Sequence, residues 1–129
     1  MHTLPCSSAA AARTGRLRGV SAATVAARDR IAACVARDFA LAESEVMAKS
    51  RGAPRAALAR QVAMYLAHVA CGLDFVAVGR LFRRDRTTVS HACRVVEDLR
   101  DDAWFDRRVA ALERACRAPA VAGRREVRR

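Results

Sequence analysis

Apolar residues recur at three- and four-residue spacing through most of the chain, which is typical of amphipathic helices. A first helix is predicted to begin after Ser21, whose side chain can act as its N-cap. Its apolar positions follow at helical spacing: Val25, Ile31, Val35 and Phe39. One or two further turns are predicted over residues 43–47. The segment 49–55 then contains Gly and Pro, which predicts a loop, and Pro54 is well placed to open the next helix.

The same spacing continues to the end of the chain. The helix that Pro54 opens carries a second apolar series: Leu58, Val62, Tyr65, Leu66 and Val69. Gly72 suits a helix end and Asp74 an N-cap, so a short helix is predicted over residues 75–82. Its inner side is predicted to contain Phe75, Val78, Leu81 and Phe82. Asp85 caps a further helix, and a last one, from about 103 to 117, carries Trp104, Val109 and Leu112.

These elements predict an all-α fold of about five to six helices. No alternation of β-branched residues is long enough for a strand, and 129 residues with 53% apolar content suit one domain with a modest core. Because only 5% of residues are aromatic, that core should consist mostly of Ala, Val and Leu. The predicted domain covers residues 21–117. Residues 1–20 are predicted to form a basic flexible arm, and residues 118–129 a basic flexible tail.

Positive charge is concentrated in the middle of the chain. The net charge is +11, and residues 49–94 hold nine basic and two acidic side chains, net +7. The segments on either side, 21–48 and 95–117, are each net −1, and each end contributes +3. A solvated surface would mix the two signs more evenly, so this distribution favours a polyanionic partner.

The helix after Asp85 has two opposite faces. At about 100° per residue, the small apolar side chains of Val89, Cys93 and Val96 lie together. Hydrogen-bond donors lie on the other side: Thr87, Ser90, His91 and Arg94. A short helix, a tight connection and a second helix with polar residues at its start are typical of a helix-turn-helix. The alternative interpretation is an ordinary amphipathic helix whose polar face is only solvated.

Other functional classes find little support in the sequence. The five cysteines lie far apart and show no metal-ligand spacing, which favours reduced thiols in a cytosol and argues against zinc. No phosphate-binding loop surrounds the only lysine, Lys49, and no nucleophile and base are suitably paired. No apolar run is long enough for a membrane span. We therefore expect no cofactor, no nucleotide, no membrane contact and no enzymatic activity.

Three segments of this central region resemble a known family. RQVAMYLA (60–67), VGRLF (78–82) and RDRTTVSHACRVVE (84–97) are similar to the C-terminal DNA-binding domain of the bacterial replication initiator DnaA. Its motifs run close to RQxAMYL, IGxxF and GGRDHTTVxHAC. The resemblance extends at lower density over about residues 22–117. It implies an all-α, Trp-repressor-like helix-turn-helix that binds a short asymmetric DNA box, here without the ATPase module of the initiator.

The resemblance also implies roles for individual residues. Base edges in the major groove would be contacted by Asp85, Arg86 and Thr87. Thr88 and His91 occupy positions that contact the DNA backbone, and we expect the same of nearby polar residues: Arg84, Ser90, Arg94 and Arg60. The basic loop of residues 49–55 would enter the minor groove through Lys49, Arg51 and Arg55. For Asp85 a purely capping role remains an alternative, as does simple solvation for Lys49 and Arg51.

The chain departs from the family motif at the turn and in the following helix. FRRD is one residue shorter than FGGRD, Arg86 stands where the family has His, and Ser90 stands where Leu is usual. An Arg can donate two hydrogen bonds to guanine, which a His cannot. We therefore expect a box related to that of the initiator, with a guanine gained opposite Arg86.

The sequence leaves two functional classes open. The favoured function is sequence-specific binding of double-stranded DNA at DnaA-box-like sites, acting in replication initiation or transcription. We expect a monomer on DNA, in the cytoplasm and associated with the nucleoid, with the initiator or its regulators as further partners. The alternative is a protein-binding adaptor with weak or vestigial DNA binding. RNA binding is less favoured, because the aromatic residues of the basic segment fit a buried core.

Overall fold

A computed structural model describes residues 20–49 and 53–128 of the chain, with side chains described as far as Arg117. Six helices occur in these residues: α1 (Ala22–Phe39), α2 (Glu43–Met47), α3 (Pro54–Val69), α4 (Phe75–Phe82), α5 (Arg86–Leu99) and α6 (Ala103–Arg128). No strand is present in the same residues. The prediction of an all-α fold with five to six helices is therefore confirmed.

Side-chain caps begin three of the helices where the sequence predicted them. The Ser21 hydroxyl accepts a hydrogen bond from the Thr24 N–H at 3.2 Å. The Asp74 carboxylate accepts from the Ala77 N–H at 2.8 Å, at the start of α4. The Asp85 carboxylate accepts from the Thr88 N–H at 2.8 Å, at the start of α5. Since the first four N–H groups of a helix lack partners inside it, each cap satisfies one of these donors.

Three residues adopt the left-handed backbone conformation where helices end. Gly72 has φ of 72° and carries no Cβ that would make this costly. Ala40 and Arg83 have φ of 57° and 59°, and they end α1 and α4. A residue with a Cβ in this conformation costs roughly 1–2 kcal/mol. Both connections therefore fold against a local backbone preference.

Helix α3 lies at the centre of the fold and packs against each of the other five helices. Its buried positions include Val62 and Leu66, which are fully inaccessible to solvent. Small aliphatic side chains from the surrounding helices complete the core: Ile31, Val35, Val46, Val78, Leu81, Val89, Val96 and Val109. The predicted dominance of Ala, Val and Leu is confirmed. Helices α4 and α5 both pack on α3. The face of α5 that points away from α3 is exposed to solvent.

Two arginines join the last helix to the rest of the domain. Arg100 forms ion pairs with Asp106 and Glu113 and donates a hydrogen bond to the Tyr65 hydroxyl at 3.0 Å. Arg108 pairs with Asp38 at 2.7 Å and lies over the Phe39 ring. These contacts fix α6 against α1 and α3.

Helix α6 is longer than predicted. It continues past the expected end near residue 117 to Arg128. Trp104 does not join the core: it is 72% exposed, with Arg107 over its ring. The flexible tail stays a prediction, and so does the basic arm, of which residues 1–19 lie outside the described residues.

None of these helices, over the part of the chain that the structure covers, has the length and apolar content needed to cross a bilayer.

Candidate nucleic-acid interface

The connection between α4 and α5 is three residues long. Arg83 turns the chain in the left-handed conformation, and the N–H groups of Arg83 and Arg84 both donate to the Gly79 carbonyl. Asp85 then caps α5. These contacts end one helix and begin the next within a single tight turn. The geometry is that of a helix-turn-helix, and α5 is its second helix.

Gly79 allows this turn to fold back closely onto α4. A Cβ built at this position would lie only 2.4 Å from the Arg84 carbonyl oxygen, a backbone atom that cannot rotate away. Gly79 lies within the VGRLF segment, and no role was predicted for it. A glycine inside an otherwise apolar helix was the signal, since such a position often marks a close backbone approach.

Asp85 acts as an N-cap in this structure. Its Oδ1 accepts from the Thr88 N–H at 2.8 Å, and the backbone hydrogen bond from Thr88 is the main reason that the pKa of Asp85 is lowered. The carboxylate is therefore ionised at neutral pH. It is also exposed to solvent. The capping role is observed, and the base contact stays a prediction.

The two predicted faces of α5 are confirmed. Val89, Cys93 and Val96 are 0%, 4% and 0% exposed and pack in the core. The opposite face is open to solvent at Thr87, His91 and Arg94, with Ser90 half-buried beside them, and Arg86 and Thr88 are also exposed in the first turn of the helix. Five of the expected contact residues of α5 therefore share one accessible surface, which we call the donor face.

The basic loop is only partly described. Lys49 is exposed in a bend just after α2, whereas Arg51 lies outside the described residues. Arg55 is also exposed, but it belongs to the first turn of α3 and not to the loop proper. Both described cations are accessible.

Arg60 and Arg84 are directed into the protein. Arg60 is 7% exposed and donates to the Glu45 carbonyl at 2.7 Å. Arg84 is half-buried and donates to the Ala48 carbonyl at 2.8 Å. Burial lowers the pKa of Arg60, and the nearby charge of Arg84 lowers it further. A side chain placed like that of Arg60 cannot meet a phosphate without leaving its site, so Arg60 is removed from the expected backbone contacts.

The chain matches a known protein family. Residues 28–96, more than half of the chain, match the family described as bacterial DnaA protein helix-turn-helix. The chain belongs to this family. The matched range runs from α1 to α5 and includes the whole turn and the whole donor face.

Individual DnaA proteins are similar to the chain over a limited part of their own length. The chromosomal replication initiator protein DnaA of Sphingopyxis alaskensis is 39% identical over 89 residues, which is 67% of this chain and 19% of that protein. That of Aquifex aeolicus is 35% identical over 82 residues, 62% of this chain and 20% of that protein. The chain thus spans about a fifth of the length of these relatives.

A solved structure has a fold similar to that of this chain. The crystal structure of a DNA replication initiation factor superposes with a TM-score of 0.65 at 31% sequence identity, covering 72% of this chain and 29% of that one.

Within the DnaA motif, this chain replaces the glycine pair before RD with a single residue, Arg83. Its φ of 59° is the conformation that a glycine would adopt without strain. The shortened turn therefore has a left-handed residue that carries a side chain.

Proposed function

We propose that the chain binds double-stranded DNA with sequence preference, at sites related to DnaA boxes, and acts in replication initiation or transcription. The observation that carries this proposal is the exposed donor face of α5 within a segment of net charge +7. An ordinary solvated face has no need of so strong an excess of one sign. We take residues 21–117 as the DNA-binding unit and the two basic ends as additions to it.

The proposed contacts follow the accessible residues. Asp85, Arg86 and Thr87, at the start of α5, read base edges in the major groove. A carboxylate can accept from cytosine, an Arg can donate twice to guanine, and a Thr methyl can contact the thymine methyl. Further along the donor face, backbone contacts come from Thr88, Ser90, His91 and Arg94. Minor-groove contacts come from Lys49, Arg51 and Arg55.

The experiment that tests the proposal is duplex binding by the purified chain as salt is varied, without nucleotide. If roughly 5–7 phosphates are neutralised, log K falls against log[salt] with a slope of about −4.5 to −6. Selection of bound duplexes from a random pool then gives the preferred site. Binding that ignores salt, or a pool that returns no shared sequence, contradicts sequence-specific DNA recognition.

A protein-binding adaptor is the second candidate, and the exposed indole of Trp104 is the observation that favours it. Trp is enriched where proteins meet. Trp104 follows the far end of α5, a helix of 14 residues that is about 21 Å long at 1.5 Å per residue. Contact with a partner there leaves the donor face accessible. Trp104→Ala therefore leaves DNA affinity unchanged in either case, and only loss of a protein partner would support the adaptor.

A further inference from the structure

The carbonyl end of the short helix α2 is held by two guanidinium groups. The last carbonyls of any helix lack partners inside it, and the partial negative charge at that end attracts cations. Arg60, from α3, donates to the Glu45 carbonyl at 2.7 Å. Arg84, from the turn before α5, donates to the Ala48 carbonyl at 2.8 Å. Two residues distant in sequence thus converge on one helix end.

Packing alone does not require a charged group in this place. Apolar side chains surround the two arginines: Val46, Met47, Met64 and Phe82. The positive charge of Arg84 also lowers the pKa of Arg60, so the two groups repel each other. An apolar side chain would fill the same space without that repulsion. The specific contribution of Arg84 is therefore its hydrogen bonds, to the carbonyls of Phe82 and Arg83 in the turn and to the distant carbonyl of Ala48.

The hydrogen bond to Ala48 connects the two elements expected to contact DNA. Ala48 directly precedes Lys49, the first cation of the basic loop, and Arg84 directly precedes Asp85, the cap of α5. The residues joined are 36 positions apart in the chain. The distance between the start of the basic loop and the start of α5 is therefore fixed by a side chain and not only by the backbone.

We propose that Arg84, supported by Arg60, is a positioning residue that holds Ala48 and the adjoining Lys49, at the start of the basic loop, against the start of α5, so that this cation and the helix bind DNA as one unit. The inference rests on the proposed function, because it requires that both elements contact DNA. Removing the guanidinium leaves the donor face intact and releases the segment of Ala48 and Lys49. Arg84 would then contribute to affinity through the cations of the loop and not through a phosphate of its own.

A double-mutant cycle separates these two roles. The loop variant carries Lys49→Ala together with Arg51→Ala, and the positioning variant is Arg84→Met, which keeps a long apolar side chain. Arg94→Met serves as the matched control, because Arg94 is an exposed cation on α5. Each change at Arg84 or Arg94 is made in the full chain with and without the loop variant. Kd is measured on the selected duplex at several salt concentrations.

In the otherwise unchanged chain, the loop variant should weaken binding by about tenfold or more, since hydrogen bonds to charged groups are worth that much. It should also lower the salt slope by about two. When Arg84→Met is already present, the same loop variant should cost less than about threefold, because the loop has already lost its position. When Arg94→Met is present instead, the loop variant should still weaken binding by about tenfold or more.

Amide hydrogen exchange at residues 48 and 49 in the DNA-free protein provides a second measurement. Exchange should quicken by about tenfold in Arg84→Met, because a segment that has lost its tertiary hydrogen bond opens more readily, and remain unchanged in Arg94→Met. If Arg84→Met does not fold, as judged by circular dichroism, Arg84→Lys replaces it. An ammonium lacks the fork that holds Ala48 while contacting the turn, so faster loop exchange is expected there too.

Three results would overturn the proposal: equal costs of the loop variant with and without Arg84→Met, a loop variant that costs nothing, or unchanged loop exchange in the Arg84 variants. Failure of the proposed function has a different signature. In that case the unmodified chain shows no salt-dependent duplex binding, while the exchange measurement still reports whether Arg84 holds the loop.

Discussion

Gly79→Ala tests how closely the turn of the helix-turn-helix must approach α4. The added methyl group would lie 2.4 Å from the Arg84 carbonyl oxygen, where ordinary contacts begin about 1 Å further out. Neither atom belongs to a flexible side chain, so α4 and the turn have to separate. The Gly79 carbonyl also accepts the hydrogen bonds from Arg83 and Arg84 that end α4. The substitution therefore displaces the residues immediately before α5.

The cost follows from two opposing effects. Overpacking in a closely packed site costs typically 1–3 kcal/mol, and weakening one of the two hydrogen bonds adds about 1 kcal/mol. Against this, alanine is favoured over glycine inside a helix by roughly 0.5–1 kcal/mol. The expected net loss of stability is about 1–3 kcal/mol. Since the start of α5 shifts, at least one base contact should also be lost, which weakens DNA binding by about tenfold or more.

Gly72→Ala is the matched control for this prediction. Gly72 has φ of 72° and no atom near its missing Cβ, so alanine there meets backbone strain but no clash. A loss of about 1 kcal/mol is expected, with DNA affinity unchanged at temperatures where both variants are folded. Urea unfolding gives the stabilities and fluorescence anisotropy gives Kd. If Gly79→Ala matches the unmodified chain in both measurements, or if Gly72→Ala weakens DNA binding equally, the reasoning is refuted.

Three further predictions concern other parts of the molecule. Ala40→Gly should stabilise the fold by about 0.5–1 kcal/mol, because glycine adopts the left-handed backbone conformation without strain. Ala26→Gly, on the exposed side of α1, should instead destabilise the fold by about 1 kcal/mol. Equal effects of the two variants in urea unfolding would contradict this. Thr87→Ala should reduce the binding free energy for the selected site by roughly 1–3 kcal/mol and remove the sequence preference at one base pair. Arg94→Ala should weaken binding to all DNA sequences alike and lower the salt slope by about one. Arg86→His should lose a guanine from the consensus selected out of a random pool, and an unchanged rank order of sites would show that Arg86 contacts only phosphate.

The predictable part of the structure depends on local chemistry. Ser21, Asp74 and Asp85 were identified as caps because each precedes an apolar series at helical spacing, and all three accept the expected N–H. The two faces of α5 followed from its period in the same way. Such features need only a few neighbouring residues, so a single sequence contains the information that they require.

The contacts that sequence reasoning missed depend on distant partners. Arg60 was expected on the surface because arginine is rarely buried without a partner, and its partner, the Glu45 carbonyl, lies in another helix. Arg84 was counted with the cations of α5 for its position in the chain, although its guanidinium reaches back 36 residues to Ala48. A backbone carbonyl has no side-chain signature, so no pattern in the sequence marks either acceptor.

The turn of this chain combines a structural cost with a gain in charge. Arg83 holds the left-handed conformation that the glycine pair of the DnaA motif would adopt freely, at a cost of about 1 kcal/mol or more. Its side chain is exposed and lies in the turn that leads into α5. A glycine there would favour folding but would remove one of the nine cations of residues 49–94. Each cation near the phosphates contributes to salt-dependent affinity, so this position gives up stability and adds positive charge where the proposed interface begins.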